Sequence, residues 1–310
     1  MTAILAAGHA LGAQEVDLGA WCTDHNIDPA ALIENGARRF YDAGAASLVS
    51  LGADAVGQAL ARAGVAADQV DLLVVYQTSP CNTLPMPYTL CGALRQAAGL
   101  RSSHAMALNL QMCASPVHAL RVIAALFARH PAWRHAVLAG ADKILMARLR
   151  TLDDVGVHSD GAGALVLGRG TGIHGIETYN EAEGMLRTVA DNAHAGRQFE
   201  RYGASDNYLW TLISVARRIL RSAGVDAGQV ASVLPHNVNL TAWRQAMAAL
   251  RIPQERLFTA NFGRTGHLFG SDIALNVGDS GALRTPGHHL VVTSGVGGCF
   301  GGFILTTPQA

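Results

Sequence analysis

Apolar positions along the chain follow two different periods, and together they predict helices and strands in a regular order. Apolar residues three or four positions apart, as at Leu240, Trp243, Met247 and Leu250, indicate helices, whereas short unbroken apolar runs indicate buried strands. The pattern predicts helices over 47–63, 86–98, 114–130, 207–223, 240–250 and 270–284. It predicts strands over 70–76, 105–110, 135–140, 162–168, 230–235, 256–260, 288–294 and 301–307. This alternation is typical of an α/β protein.

The predicted elements repeat. The octapeptide AGVAADQV at 63–70 returns as AGVDAGQV at 223–230, and each copy stands between a helix and a strand. Two further matches follow in the same order, 135–140 with 289–294 and 160–167 with 299–306. Repeats in a constant order indicate a duplicated unit. We therefore expect an N-terminal half over 1–172 and a C-terminal half over 173–310, with the polar, glycine-containing segment 180–207 as an insert or lid.

Composition narrows the function classes. The chain has 310 residues, 50% of them hydrophobic and 15% charged, which is enough apolar material for one large core or two fused ones. The 23 basic and 23 acidic residues cancel, so nucleic acid is not an expected partner. The first residues lack a basic signal-type region, and the apolar runs fall short of the roughly 20 residues that span a bilayer, so we expect a cytoplasmic protein without a membrane partner. Five cysteines without CxxC spacing predict neither a disulfide framework nor a metal site.

Cys113 lies at the corner between the strand predicted over 105–110 and the helix predicted over 114–130. Unpaired backbone N–H groups and the helix dipole at such a corner favour a thiolate, which predicts a nucleophile. The alternative is that Cys113 is a small buried apolar residue.

Two histidines follow strands of the second half. His236 lies in the corner Pro-His-Asn-Val-Asn, at the carboxyl end of the strand predicted over 230–235, and such strand ends gather ligands and catalytic groups. His267 lies in a glycine-rich turn that the repeat makes the counterpart of the Cys113 corner. If the halves pack about a pseudo-twofold axis, Cys113, His236 and His267 share one pocket; otherwise each histidine is structural.

The sequence resembles the β-ketoacyl-acyl carrier protein synthase III branch of the thiolase superfamily. The resemblance rests on five motifs in order along the chain: Leu110-Gln-Met-Cys113, Ser159-Asp-Gly-Ala-Gly163, Pro235-His-Asn-Val-Asn239, Gly266-His267 and Gly295-Val-Gly-Gly298. It implies the duplicated, five-layered αβαβα thiolase fold, usually as a homodimer. It also implies a ping-pong reaction in which the cysteine carries an acyl group from acyl-CoA or acyl carrier protein, with no bound cofactor.

The resemblance assigns roles to individual residues. Cys113 would be the nucleophile and His236 the base, with Asn239 supporting the loop of His236. The backbone N–H groups of Cys113 and of Gly297 or Gly298 would form the oxyanion hole, although turn geometry alone also explains these glycines.

The turn at His267 departs from the condensing enzymes of this branch, in which asparagine normally occupies this position. The pattern Gly-His-x-Phe-Gly-x-Asp, ending at Asp272, is similar to that of synthase III-like starter-unit enzymes and acyltransferases of polyketide pathways. An aspartate behind a histidine fixes its tautomer and stabilises its charged form. Asp272 could instead be only a helix-start residue.

The residues that would bind the donor also depart from the family. The expected tryptophan–arginine pair for coenzyme A is not evident near the N-terminus, where Arg38 and Arg39 are the candidates. Thr241 replaces the expected carrier-contacting arginine, and Arg244 follows three residues later. Leu84 and Met86 lie in the segment that shapes the acyl pocket in the family, and either could set chain length or simply pack in a surface loop.

Three functions remain open at this point. The first is an acyltransferase of polyketide-type biosynthesis that forms an ester, an amide or a new carrier thioester. The second is a decarboxylative condensing synthase that uses a malonyl-type extender. The third is a non-catalytic partner subunit, against which the presence of Cys113 and both histidines argues.

Overall fold

The computed structural model describes residues 2–78, 88–101, 103–109, 111–180 and 207–309. The candidate acyl-pocket residues Leu84 and Met86 lie outside the described residues, as does nearly all of the insert predicted over 180–207.

The described residues form thirteen strands and nine α-helices. The strands are β1 Thr2–Leu11, β2 Gln14–Asp17, β3 Arg39–Asp42, β4 Leu72–Tyr76, β5 His104–Ala107, β6 His135–Asp142, β7 Thr151–Leu152, β8 Gly156–Val157, β9 Gly161–Arg169, β10 Ile173–Asn180, β11 Val230–Leu234, β12 Gly287–Gly295 and β13 Cys299–Thr307. The helices are α1 Leu18–Asp24, α2 Ala30–Glu34, α3 Leu48–Ala63, α4 Leu90–Ala97, α5 Ser115–Arg129, α6 Tyr208–Ala223, α7 Leu240–Leu250, α8 Ala260–Arg264 and α9 Asp272–Asp279.

Nine strands form one sheet in the order β11-β12-β13-β10-β1-β9-β6-β4-β5. The sheet has two halves that meet where β1 pairs with β10, and there the register is a single pair, Thr2 with Ile173. In each half an edge portion is parallel, β5-β4-β6 or β11-β12, and the strands toward the seam are antiparallel. Among the described residues, the four strands β10, β13, β12 and β11 therefore repeat the order and directions of β1, β9, β6 and β4, whereas β5 has no counterpart strand.

Five layers result from the way helices cover the two half-sheets. Helix α3 packs on β1, β9 and β6 from outside, and α6 packs on β10 and β13 from outside. Between the half-sheets lie α5, which contacts β4, β6, β10 and β13, and α9, which contacts β1, β9 and β11. The central layer is fully apolar where α5 crosses it, with Leu120, Ile123 and Phe127 buried. The predicted fold class, a duplicated five-layered αβαβα fold, is confirmed.

The sequence repeat has a direct structural counterpart. Helices α3 and α6 both end at a glycine in the left-handed region, Gly64 with φ 64° and Gly224 with φ 66°. Each is followed by a 3-10 turn, Ala67–Gln69 or Ala227–Gln229, whose glutamine side chain accepts from the backbone N–H three residues earlier. A left-handed helix end favours glycine because a side chain there is strained.

Two predicted elements differ in the structure, and several observed elements, among them two strands of the large sheet, were not predicted. The strand predicted over 256–260 is wrong: this segment makes a single bridge, Leu257 to Val233, before α8 begins. The helix predicted over 270–284 ends at Asp279, and a turn with Gly281 at φ 75° follows. Strands β1 and β10 were not predicted. Alanine and glycine, which have a low strand propensity, make up half of β1, so its sequence does not stand out as a strand.

Within the part of the chain that the structure describes, one run, Met112–Arg129, is long and apolar enough to cross a membrane by length and composition, and half of it is buried inside the protein. The run is α5 with the turn before it. A helix packed between two sheets has apolar side chains on most of its surface because it contacts protein rather than water on both sides, and a membrane helix has a similar composition because it contacts lipid.

Candidate active site

The two halves place the same backbone corner at the start of each central helix. Before α5 stands the 3-10 turn Met112–Ala114, and before α9 stands the 3-10 turn Phe269–Ser271. The first residue of each turn lies in the left-handed region, Met112 with φ 45° and Phe269 with φ 54°. Non-glycine residues in this region are uncommon and cluster at functional sites. The two turns contact each other, so the N-termini of both central helices meet at one point.

Cys113 lies in the first of these turns and is 5% exposed. Its Sγ is 3.3 Å from Nε2 of His267, and its carbonyl oxygen accepts a hydrogen bond from Thr293 Oγ1 at 3.2 Å. On the other side, a Cβ at Gly295 would lie 2.5 Å from Met112 Cβ and 2.9 Å from the Cys113 nitrogen. The cysteine is therefore held at a fixed point beside an imidazole, with a backbone approach that only glycine permits.

His267 connects the sulfur to a carboxylate. Its Nδ1 is 2.5 Å from Asp272 Oδ2. Asp272 also accepts hydrogen bonds from the Leu268 N–H at 2.7 Å, the Asn237 N–H at 2.7 Å and Asn237 Nδ2 at 3.0 Å. As the first residue of α9 it is also a helix-start residue, where the dipole stabilises negative charge. The two interpretations of Asp272 from sequence are thus compatible.

The charge on His267 follows from these neighbours. Burial alone lowers the pKa of this imidazole, but the negative charges of Asp272 and then Cys113, with hydrogen bonds to both, outweigh burial and raise the pKa to about 10. His267 is therefore protonated at neutral pH. Its two N–H groups point at the Asp272 carboxylate and the Cys113 sulfur.

His236 lies in the same buried cluster but has different partners. Its ring centroid is 6.0 Å from that of His267, and its Nε2 is 3.0 Å from Ser294 Oγ and 3.1 Å from Tyr208 Oη. Its Nδ1 has no hydrogen-bond partner among the described residues. Burial, and then the charge of His267, place the pKa of His236 well below its usual value. His236 is thus neutral beside a charged His267.

A third histidine, His158, was missed from sequence although it directly precedes a motif that was noticed. Its ring stacks on Phe269 at 4.5 Å and lies 5.4 Å from the His267 ring. Nδ1 is 2.9 Å from the Leu149 carbonyl oxygen, so it carries the proton. Burial, and then the charge of His267, lower the pKa of His158 to about 3. His158 is therefore an uncharged side chain that packs against the side of the site.

The supporting residues predicted from sequence lie around this cluster. Asn239 has φ 56° and its side chain accepts from the Ala242 N–H at 3.0 Å, so it caps α7 directly after the His236 corner. Gly297 and Gly298, with φ 84° and 76°, form the turn between β12 and β13. Gly295, which starts the same motif, approaches the Cys113 backbone closely.

Two of the three arginines proposed for donor recognition have other contacts in the structure. Nη1 of Arg38 donates to the carbonyl oxygens of Ile33 and Ala37 at 2.6 and 2.8 Å. Arg39 pairs with Glu15. Arg244 lies exposed on α7. Hydrogen bonding to the backbone and ion pairing thus account for the first two side chains.

The duplicated α/β fold places a cysteine, a histidine and an aspartate in contact at the N-termini of its two central helices. The C-terminal part of the chain, residues 220–307, matches the family described as 3-oxoacyl-[acyl-carrier-protein] synthase III, C terminal. β-Ketoacyl-[acyl-carrier-protein] synthase III of Rubrobacter xylanophilus is 28% identical over 272 residues, which cover 84% of this chain and 82% of that protein. Over most of its length the chain is therefore similar to β-ketoacyl-acyl carrier protein synthase III enzymes, which are transferases.

Solved structures show the same fold. The priming β-ketosynthase of the R1128 polyketide biosynthetic pathway superposes with a TM-score of 0.85 at 22% identity, covering 100% of this chain and 97% of that one. ChlB3, an acyltransferase, superposes with a TM-score of 0.83 at 23% identity, covering 99% and 98%. At these identities the likeness establishes architecture, and the choice between condensation and acyl transfer depends on the site.

Proposed function

We propose that the protein is an acyltransferase that loads an acyl group from acyl-CoA or acyl carrier protein onto Cys113 and passes it to an acceptor in polyketide-type biosynthesis. The observation that carries the proposal is the continuous chain from Cys113 Sγ through His267 to Asp272, with contacts of 3.3 and 2.5 Å. A nucleophile, a base and a carboxylate that orients the base are the groups that acyl transfer to a protic acceptor requires.

In the first half-reaction, Cys113 attacks as a thiolate paired with protonated His267. A bond forms between Sγ and the thioester carbonyl carbon, and the bond from that carbon to the donor sulfur breaks. His267 supplies its Nε2 proton to the departing thiol. We assign the oxyanion to the backbone N–H groups of Cys113 and of Gly297 or Gly298, where each preorganised donor is worth about 3 to 4 kcal/mol.

In the second half-reaction, His267 is neutral and takes the proton of an acceptor hydroxyl, amine or thiol. The acceptor then attacks the acyl-Cys113 carbonyl carbon, the bond from that carbon to Sγ breaks, and the thiolate–imidazolium pair is restored. Asp272 stabilises the charged imidazole that forms. A glutamine or asparagine at position 267 could not move this proton, which is why the histidine favours transfer to a protic acceptor.

Partners and location belong to the same proposal. Acyl-CoA or acyl carrier protein is the donor, and no bound cofactor is required. The whole of β5, His104–Ala107, is exposed at the edge of the nine-stranded sheet. An uncovered edge strand is a surface for pairing with another strand, which supports a homodimer in which β5 is covered by a second copy. We place the enzyme in the cytoplasm.

Decarboxylative condensation with a malonyl-type extender is the second candidate function. It is favoured by the similarity to the Rubrobacter xylanophilus synthase, which covers 84% of this chain. It is also favoured by the 6.0 Å separation of the His236 and His267 rings, which would let two imidazoles approach one thioester oxygen.

Two measurements on the purified protein test the proposal. Incubation with a panel of acyl-CoA donors, followed by intact mass, should show one acyl adduct on Cys113; pantetheine, alcohols and amines should then discharge it. Release of CO2 from malonyl-CoA should stay at the background rate. An efficient release of CO2 would establish the condensing function instead, and the absence of an adduct with every donor would leave the non-catalytic subunit.

A further inference from the structure

Two hydroxyl groups saturate one nitrogen of His236. Ser294 Oγ and Tyr208 Oη lie 3.0 and 3.1 Å from His236 Nε2 and 3.1 Å from each other, so the three atoms form a closed triangle. An imidazole nitrogen offers one lone pair or one N–H. With two hydroxyls at hydrogen-bond distance, Nε2 has no capacity left for a substrate.

The triangle is held by rigid elements. Ser294 lies on β12 directly after Thr293, whose hydroxyl donates to the Cys113 carbonyl. Tyr208 begins α6, and its ring packs against Phe300 of β13 with centroids 5.6 Å apart. Since His236 Nδ1 has no partner among the described residues, these two hydroxyls are the hydrogen bonds that orient the ring.

The occupied nitrogen is the one that decarboxylation would need. In that reaction the bond between the malonyl methylene carbon and its carboxylate breaks, CO2 leaves, and the electron pair moves onto the thioester oxygen as an enolate. The enolate oxygen requires N–H donors, and two imidazoles are the available pair. His267 directs Nε2 at the sulfur, and Nε2 of His236 is bound by the two hydroxyls.

We propose that Tyr208 and Ser294 are positioning residues that determine the reaction type: by occupying Nε2 of His236 they withhold this imidazole from an enolate and keep the enzyme an acyltransferase. The inference deepens the proposed function and rests on it. It assigns the difference between transfer and condensation to two hydroxyl groups rather than to the nucleophile.

The test is a gain of activity in the double variant Tyr208→Phe, Ser294→Ala, which removes both hydroxyls and keeps the carbon skeletons. With acetyl-CoA as donor and malonyl-CoA or malonyl-pantetheine as extender, CO2 release should rise at least about tenfold above wild type, the rate change expected from one productive hydrogen bond. Adding His236→Ala should return the release to the wild-type value. Tyr179→Phe is the matched control, because Tyr179 packs on the same Phe300 ring without contacting His236, and it should behave as wild type.

The acetyl adduct on Cys113, measured by intact mass, reports in the same samples whether the site is assembled. A double variant that acquires the adduct but releases no more CO2 than wild type would overturn the inference, as would a gain that survives His236→Ala. If the double variant does not acquire the adduct, the two single variants decide on the same readouts. Failure of the proposed function looks different, because wild type itself would then release CO2 efficiently.

Discussion

The corner before α5 and the corner before α9 have similar backbones but present different chemical groups. Both begin with a left-handed residue and lead into a central helix, but the first presents the Cys113 sulfur and the second the Asp272 carboxylate. A helix N-terminus stabilises either negative charge. The comparison teaches that the duplicated corner is used differently in the two halves: the second residue of the turn supplies the sulfur in one, the first residue of the helix supplies the carboxylate in the other, and His267 lies between the two groups.

The largest loss of activity is expected when the sulfur is removed from the corner before α5. Cys113→Ala should remove the acyl adduct and lower transfer by more than about 10³-fold, because no other nucleophile replaces the thiolate. Intact mass after incubation with acyl-CoA measures the adduct. Cys91→Ser is the control: this half-buried cysteine lies on α4, and the variant should acylate normally. An undiminished adduct in the alanine variant would refute the assignment of the nucleophile.

A smaller loss is expected at the carboxylate. Asp272→Asn keeps the shape of the side chain but removes the charge that raises the pKa of His267, so acyl transfer should fall about 10²-fold or more. The variant should also lose about 1 to 3 kcal/mol of stability, because the amide cannot accept all the hydrogen bonds that Asp272 makes. Transfer rates and urea denaturation measure the two effects. A rate equal to wild type would make Asp272 a helix-start residue only.

The charges of the histidines predict a stability optimum. Because the folded pKa of His267 is about 10, above its unfolded value near 6.5, its contribution is complete below pH 6.5 and is lost as the pH rises through 10. For His158, whose folded pKa is about 3, the unfolded chain binds the proton first, so stability is lost as the pH falls below 6.5. His236 acts in the same direction as His158.

Denaturant midpoints measured from pH 4 to 11 should therefore be highest near pH 6.5, with a decline at lower pH and a second decline between about pH 6.5 and 10. In Asp272→Asn the alkaline decline should shift to lower pH, while the acid decline should stay. A wild-type midpoint that is unchanged between pH 8 and 11 would contradict the charged state of His267.

The smallest loss of stability and activity is expected from a substitution at Gly295, whose backbone lies close to Met112 and Cys113. Gly295→Ala places a Cβ 2.5 Å from Met112 Cβ, so the corner must move, at a cost of about 1 to 3 kcal/mol, and acylation should slow. Gly57→Ala is the matched control: nothing lies within 4 Å of the new Cβ, and helix α3 should gain about 0.5 to 1 kcal/mol. Thermal denaturation and the rate of adduct formation separate the two. Equal behaviour of both variants would show that the corner tolerates displacement.

The sequence predicts those parts of the fold and site that local patterns encode. The repeat at 63–70 and 223–230 predicts the duplication. Each copy contains the glycine at which a helix ends in the left-handed region, Gly64 or Gly224, so the two copies mark the same structural position. His267 and Asp272 are five residues apart, so their pairing can be expected from one motif. The contacts of Tyr208 and Ser294 with His236 could not be, since each of these residues lies in a different element from His236 and far from it in sequence. His158 could have been identified, because it directly precedes the noticed motif at 159–163.

The segment at Leu257 shows where prediction from local sequence fails. Its apolar residues suggest a strand, yet the segment pairs with β11 at one residue only, because α8 begins three residues later. Local hydrophobicity predicts that a residue is buried, while the partner strand decides whether it belongs to a sheet.

The single backbone pair between Thr2 and Ile173 has a consequence for how catalysis can be lost. With a single pair across the seam of the sheet, the docking of one half on the other depends on the side chains of α5 and α9 and on backbone hydrogen bonds at the site, such as those that join His267 to Val157 and Ser159. The sulfur belongs to one half and the imidazole to the other. A substitution that merely loosens the contact between these helices would therefore inactivate the enzyme at a distance, leaving every reacting group chemically intact but out of reach.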